Sequence, residues 1–181
     1  MKKKSLWLEI RFMIILSVIC ASLLGGTQIL LGERAELSDS TIKSVFNILR
    51  EKSDTKNNYD LFNSTFKQLS KGRTKIWLYN KSDSVYACEA TGSGMWSEIT
   101  IVFVFDTKKQ MIMGLRVIEQ KETAGLGSKI SEDDFLGQFY NLEVNSEVKV
   151  DAISGATMSS NAVQQILTKA INKINKYVII Q

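Results

Sequence analysis

Ile99-Thr100-Ile101-Val102-Phe103-Val104-Phe105 is the stretch that decides the fold. β-branched and aromatic residues fill it, and Asp106-Thr107-Lys108-Lys109 closes it with a polar turn. Such a run reads as a buried strand, and Met111 to Ile118 as its antiparallel return. Upstream, Ile76 to Tyr79 and Val85 to Cys88 flank Asn80–Ser84 and predict a hairpin. Downstream, Val148 to Ile153 predicts a last strand. A final helix then carries Val163, Ile166, Leu167, Ala170, Ile171, Ile174 and Val178 on one stripe. Lys169, Lys173 and Lys176 suit its C-terminal end.

Helical periodicity also appears before the strands. Leu37, Ile42, Val45, Phe46 and Leu49 predict a helix from about residue 34 to 52. Tyr59, Phe62, Phe66 and Leu69 predict a second, short helix ending near Gly72. Ser131 is expected to cap another short helix, with Glu132, Asp133 and Asp134 in its first turn. The fold class expected for the body is α+β: an antiparallel sheet with packed helices.

The N-terminus has a different character. Phe12 to Leu31 contains no charged residue, and as a helix of about 20 residues it would span about 30 Å. Lys2, Lys3, Lys4 and Arg11 precede or flank it. A cleaved signal peptide is the competing reading, but no clear small-residue cleavage site follows. Acylation at Cys20 is disfavoured by Ile19 in front of it. The expectation is one uncleaved transmembrane helix. The lysines would lie in the cytoplasm and the C-terminal body outside it. The expected domains are 1–32, a cytoplasmic N-terminus and anchor, and 33–181, an extracytoplasmic domain.

Composition narrows the chemistry. The 181 residues include no histidine, which excludes a Ser-His-Asp triad, a Cys-His dyad and any His-ligated metal. Cys20 and Cys88 form no C-x-x-C and no thiolate cluster. Residues 1–31 hold a net +3 of the total +4, and the remainder has 19 basic against 18 acidic side chains. The body offers no cationic face for nucleic acid. Ser53-Asp54-Thr55-Lys56 spells S-x-x-K without partner motifs and is discounted.

Asp151-Ala152-Ile153-Ser154-Gly155-Ala156-Thr157 leads into the last helix. Ser154, Gly155 and Ala156 keep bulk low where a ligand would approach the backbone. Thr157 falls near the helix N-terminus, where free N–H groups and the dipole favour an anion such as phosphate. An ordinary helix cap is the alternative reading of the same residues.

This run resembles the flavinylation motif of the FMN-binding domain family. The family includes the C subunit of the sodium-translocating NADH:quinone reductase and the G subunit of the Rnf electron-transport complex. The resemblance implies FMN joined to Thr157 through a phosphoester, installed by a flavin transferase that reads Asp151 as part of its recognition sequence. Glu122-Thr123-Ala124-Gly125-Leu126-Gly127 is similar to the family's E-T-P-G-L-G loop, with Ala124 in place of proline. By that likeness Glu122, Thr123, Gly125, Leu126 and Gly127 line the flavin pocket, mainly through backbone groups, and Ser154, Gly155 and Ala156 also belong to the cofactor site. Gly92-Ser93-Gly94-Met95-Trp96 resembles a G-x-G-x-W element and implies Trp96 beside the flavin. Gln120-Lys121 stands where His-Gly is frequent in the family. Lys121 there is a solvated lysine or a positive charge near the flavin.

The likeness covers about residues 85–175. It implies a membrane-anchored electron carrier with covalent FMN, a non-catalytic subunit of an ion-translocating (Na+ or H+) oxidoreductase. Polytopic membrane subunits, the flavin transferase and membrane lipid would be its partners, in a bacterial inner membrane. A stand-alone extracytoplasmic flavoprotein and a non-redox anchored assembly protein are the alternatives.

Overall fold

The structure, a computed structural model, describes residues 2–31, 37–51, 58–144 and 147–180. The chain divides into two compact units, Met1–Glu36 and Leu37–Gln181.

The first unit contains one helix, α1 (Lys2–Leu31). Its described side chains, Trp7 and Glu9 to Ser22, are exposed, among them Phe12, Met13, Ile14 and Ile15. Among the described residues no helix is long and apolar enough to cross a membrane. The side chains of Leu23 to Leu31, the second half of the expected anchor, lie outside the described residues.

The second unit is built on a six-stranded antiparallel meander in sequence order. Its strands are β1 (Phe66–Ser70), β2 (Thr74–Tyr79), β3 (Val85–Ser93), β4 (Glu98–Asp106), β5 (Met111–Glu119) and β6 (Leu142–Glu143). The expected hairpins hold: Ile76 faces Cys88, and Phe103 faces Leu115. Both faces of the sheet are covered, which is why β4 reads as a continuous apolar run. Ile99, Ile101, Phe103 and Phe105 point to one face, together with Tyr86 and Cys88 of β3. That face is closed by α5 (Thr157–Ile180) through Val163, Ile166, Leu167, Ala170, Ile171 and Ile174. Val102 and Val104 point to the other, closed by α2 (Asp39–Leu49) and α3 (Asn58–Thr65) with Phe46, Phe62, Phe66 and Trp77.

Cys88 is fully buried as a small core residue, and desolvation pushes its thiol far up from the usual range. Trp77 and Tyr86 are sheet core, and Tyr79 is half-buried.

Several expectations are corrected. The first body helix covers 39–49 and stops at Arg50, which turns left-handed at φ 56°. The second helix ends at Thr65 instead of near Gly72. Phe66 to Leu69 join a strand because β2 would otherwise present an unpaired edge. Phe66 nonetheless keeps a helix-like neighbour, stacking on Phe62 at 4.4 Å. Ser131 does not cap the short helix α4 (Asp133–Leu136); it closes the 3-10 turn Gly127–Ser131, and Glu132 takes the cap position. Val178 is exposed, so the buried stripe of α5 ends at Ile174.

Val148 to Ile153 is not a strand. Its backbone amides are bonded by side chains. Thr168 Oγ1 accepts from Val148 N, Gln164 Oε1 from Val150 N, Gln138 Oε1 from Asp151 N and Ser160 Oγ from Ile153 N. An extended segment can satisfy its polar groups this way without a ladder. The discounted Ser53–Lys56 stretch lies outside the described residues.

Candidate functional site: the cleft at the start of α5

α5 begins at Thr157, and the Ala156 carbonyl accepts the first helical bond, from Ser160 N at 2.9 Å. The N–H groups of Thr157, Met158 and Ser159 therefore have no acceptor within the helix. The first turn itself carries no acidic residue; the carboxylate that touches it, Glu122, is bonded to Ser159 Oγ. The Thr157 side chain is exposed, and among the described residues its hydroxyl makes no hydrogen bond. It is not an N-cap, so the ordinary-cap reading of Thr157 is set aside. Nearby hydroxyls differ. Ser159 and Ser160 are buried, Ser159 Oγ donating to Glu122 Oε2 and Ser160 Oγ accepting from Ile153 N. Ser154 is exposed on the preceding turn.

A cleft of about 380 Å³ opens at this helix start. That is at the small end of the ~300–1,000 Å³ of ligand sites. Gly155, Ala156 and Thr157 form one side, and Thr123, Leu126 and Gly127 another. Trp96, a residue 70% exposed, forms a third. Three segments that the sequence singled out thus meet in one place. Gly155 has φ 79°, and a Cβ there would lie 3.2 Å from Leu126 Cδ2, so a larger residue would narrow the cleft between them.

The other expected site residues lie outside the lining. Asp151 is exposed, and its backbone is held on both sides by Gln138, whose Nε2 donates to Asp151 O at 3.2 Å. Ser154 and Gly125 are exposed beside the cleft, and Lys121 is exposed with its amide on Ser97 Oγ. Glu122 is not a lining residue. Its side chain turns behind the wall and is 7% exposed. There it accepts from the amides of Met95, Trp96 and Ser97 and from Ser159 Oγ. Burial alone would raise its pKa; the hydrogen bonds from Ser159, Trp96, Ser97 and Met95 outweigh that and hold it below the ordinary glutamate value.

Met95, Met158 and Ser159 also line the cleft and were not assigned to the site from sequence. Met95 sits inside the quoted G-x-G-x-W element and Ser159 follows the flavinylation motif, so adjacency was the available signal for both. Met158 carried no signal beyond following Thr157.

Small residues on one side, Leu126 and Gly127 on another, Trp96 on the third and an exposed hydroxyl at the first turn of a helix suit a planar ring bearing a phosphate. Similarity to known proteins points the same way. Residues 94–172 match the FMN-binding domain. Over 96 residues the chain is 34% identical to the G subunit of the ion-translocating oxidoreductase complex of Methanosarcina acetivorans, covering 50% of this chain and 51% of that protein. Over 109 residues it is 28% identical to the C subunit of the Na(+)-translocating NADH-quinone reductase of Vibrio vulnificus, covering 49% and 43%. The chain thus spans about half the length of the curated relatives it matches. Among solved structures, the C subunit of the same reductase from Parabacteroides distasonis superposes with a TM-score of 0.54 at 20% identity, over 74% of this chain and 89% of that one. Shewanella oneidensis NqrC gives 0.55 at 18% identity, over 72% and 89%. At those identities the likeness establishes the α+β fold. Residues 94–172 of this chain thus resemble the FMN-binding domain in sequence, and the α+β fold around them is that of the two solved C subunits.

Proposed function

We propose that this protein carries FMN covalently on Thr157 and passes electrons within an ion-translocating oxidoreductase complex of the quinone-reductase or Rnf type. The observation that carries the reading is the exposed, unpartnered Thr157 hydroxyl at the first turn of α5, opening into a cleft lined by both family motifs.

Each residue has a defined part. Thr157 Oγ1 is the attachment atom and takes no part in turnover. The free N–H groups of Thr157, Met158 and Ser159 stabilise the phosphate charge beside it. Leu126, Gly127 and Trp96 line the cleft and would hold the ring, and Gly155 keeps the approach open. When bound, the flavin supplies the electron-accepting chemistry that protein side chains lack. Covalent attachment keeps the site filled where free FMN is dilute, because a non-covalent site empties by mass action. Asp151, exposed and held by Gln138, is presented to the flavin transferase.

The charge-free run Phe12 to Leu31 is proposed as the single membrane anchor, with the domain on the extracytoplasmic side. Polytopic subunits of the complex would then exchange electrons with the flavin at the membrane surface. The relatives named as G and C subunits of ion-translocating complexes support this assignment.

The test is in-gel flavin fluorescence after co-expression with a flavin transferase. The denatured wild-type band should fluoresce and the Thr157→Ala band should be dark. A dark wild-type band, with a control substrate labelled in the same cells, sinks the covalent-carrier reading.

A further inference from the structure

Glu122 lies where three segments converge. Oε1 accepts from the amides of Trp96 at 3.1 Å and Ser97 at 3.2 Å. Oε2 accepts from the Met95 amide at 3.3 Å and from Ser159 Oγ at 2.6 Å. The three amides belong to the loop that carries Trp96; the hydroxyl belongs to the first turn of α5, two residues after Thr157. One carboxylate therefore bonds to two walls of the cleft at once.

The space around it is built for this. A Cβ at Gly94 would lie 2.5 Å from Glu122 Oε1 and 2.8 Å from the Ser97 carbonyl oxygen. A Cβ at Gly127 would lie 2.8 Å from both Glu122 Cβ and Ser159 Oγ. Those separations are too short for real contacts, so alanine at either position would displace the carboxylate or the backbone around it. All four hydrogen-bond donors to Glu122 are neutral. A carboxylate suits this place because it is acceptor-only, with about four lone-pair directions for four donors. A glutamine would set an N–H donor against at least one amide N–H.

We propose that Glu122 is a positioning residue: its carboxylate ties the Trp96 loop to the first turn of α5 and so fixes the indole against a flavin attached at Thr157. The second half of that statement rests on the reading under Proposed function. The first half concerns the protein without flavin. The hydrogen bonds from the Trp96 backbone to the attachment turn run through one side chain. Removing its charge or its reach frees the Trp96 loop while the sheet beneath, held by its own ladder, stays in place.

Two measurements decide it. The first is amide hydrogen exchange by NMR on the full-length chain without flavin, in wild type, Glu122→Gln and Ser159→Ala. Exchange at Met95, Trp96 and Ser97 should rise at least tenfold in Glu122→Gln and more modestly in Ser159→Ala, with the β4 amides unchanged. Equal protection of the three amides in wild type and Glu122→Gln overturns the clamp. Should Glu122→Gln fail to fold, Ser159→Ala alone decides by the same comparison.

The second is flavin fluorescence of the native flavinylated chain, quenched in wild type by the adjacent indole. Glu122→Gln and Trp96→Leu should each raise it at least twofold, and the double variant should be no brighter than Trp96→Leu. A Glu122→Gln protein as dim as wild type, or a double variant whose gain is the product of the single gains, overturns the positioning role. A wild-type chain that takes no flavin overturns the reading under Proposed function instead, and the exchange arm still decides the clamp.

Discussion

The domain buries two glutamates and holds them in opposite ways. Glu89 of β3 lies beside Lys75 of β2, whose Nζ is 2.7 Å from Oε1, and faces α2, from which Thr41 Oγ1 donates to Oε2 at 2.6 Å. There charge meets charge between adjacent strands, and the Thr41 hydroxyl ties α2 to the same carboxylate. Glu122 receives only neutral donors, and from two walls of a cleft. The faces they belong to differ likewise. Around α2 and α3, aromatic rings pack on one another: Phe46 against Phe62 at 6.1 Å, and Phe62 against Trp77 at 5.5 Å. At the start of α5 the chain instead supplies glycine, alanine and threonine and leaves a cleft. The ring cluster is packed shut, as is the core under the body of α5; the start of α5 is shaped for something to enter.

That contrast can be broken from either side. Phe46→Ala should have the largest effect on stability, about 3–5 kcal/mol by thermal or urea unfolding, since it empties the middle of the ring cluster. The fraction that still folds should accept flavin normally. Lys75→Ala should cost about 3 kcal/mol, because it leaves Glu89 charged and without its cation in a largely buried place. It too should spare flavin attachment.

Glu122→Ala should cost about 1–3 kcal/mol, the desolvation penalty of amides left without an acceptor. This variant carries a pH signature. The folded pKa of Glu122 is depressed below the ordinary value of 4.5. Its carboxylate therefore stabilises the fold above pH 4.5 and loses that contribution as pH falls through the folded pKa. The wild type should lose stability more steeply than Glu122→Gln below pH 4.5, as measured by unfolding at a series of pH values. Parallel curves would contradict the assignment. Thr157→Val should change stability least, by less than about 0.5 kcal/mol, because the side chain is exposed and its hydroxyl makes no hydrogen bond among the described residues. It should nevertheless abolish flavin attachment, separating function from stability at a single residue.

The sheet and α5 were legible because their signals are local. β4 and β5 announce themselves as apolar runs around a polar turn, and α5 as a stripe at helical spacing. Where the signal was shared by two conformations, the sequence misled. Phe62, Phe66 and Leu69 fit a helix until pairing with β2 takes the last two. Val148 and Val150 alternate as in a strand, but side chains of Thr168 and Gln164 on α5 decide which partners their amides find. The site divides in the same manner. The motifs around Gly127 and Thr157 could be read from resemblance. The role of the Glu122 side chain could not, because it depends on amides 25 to 27 positions away.

The most direct test of the central claim is peptide mass mapping of the protein purified from cells that contain a flavin transferase. The account predicts one FMN per chain, in phosphoester linkage on Thr157, with Ser154, Ser159 and Ser160 unmodified. An unmodified Thr157 peptide, or flavin on one of those serines, would contradict it.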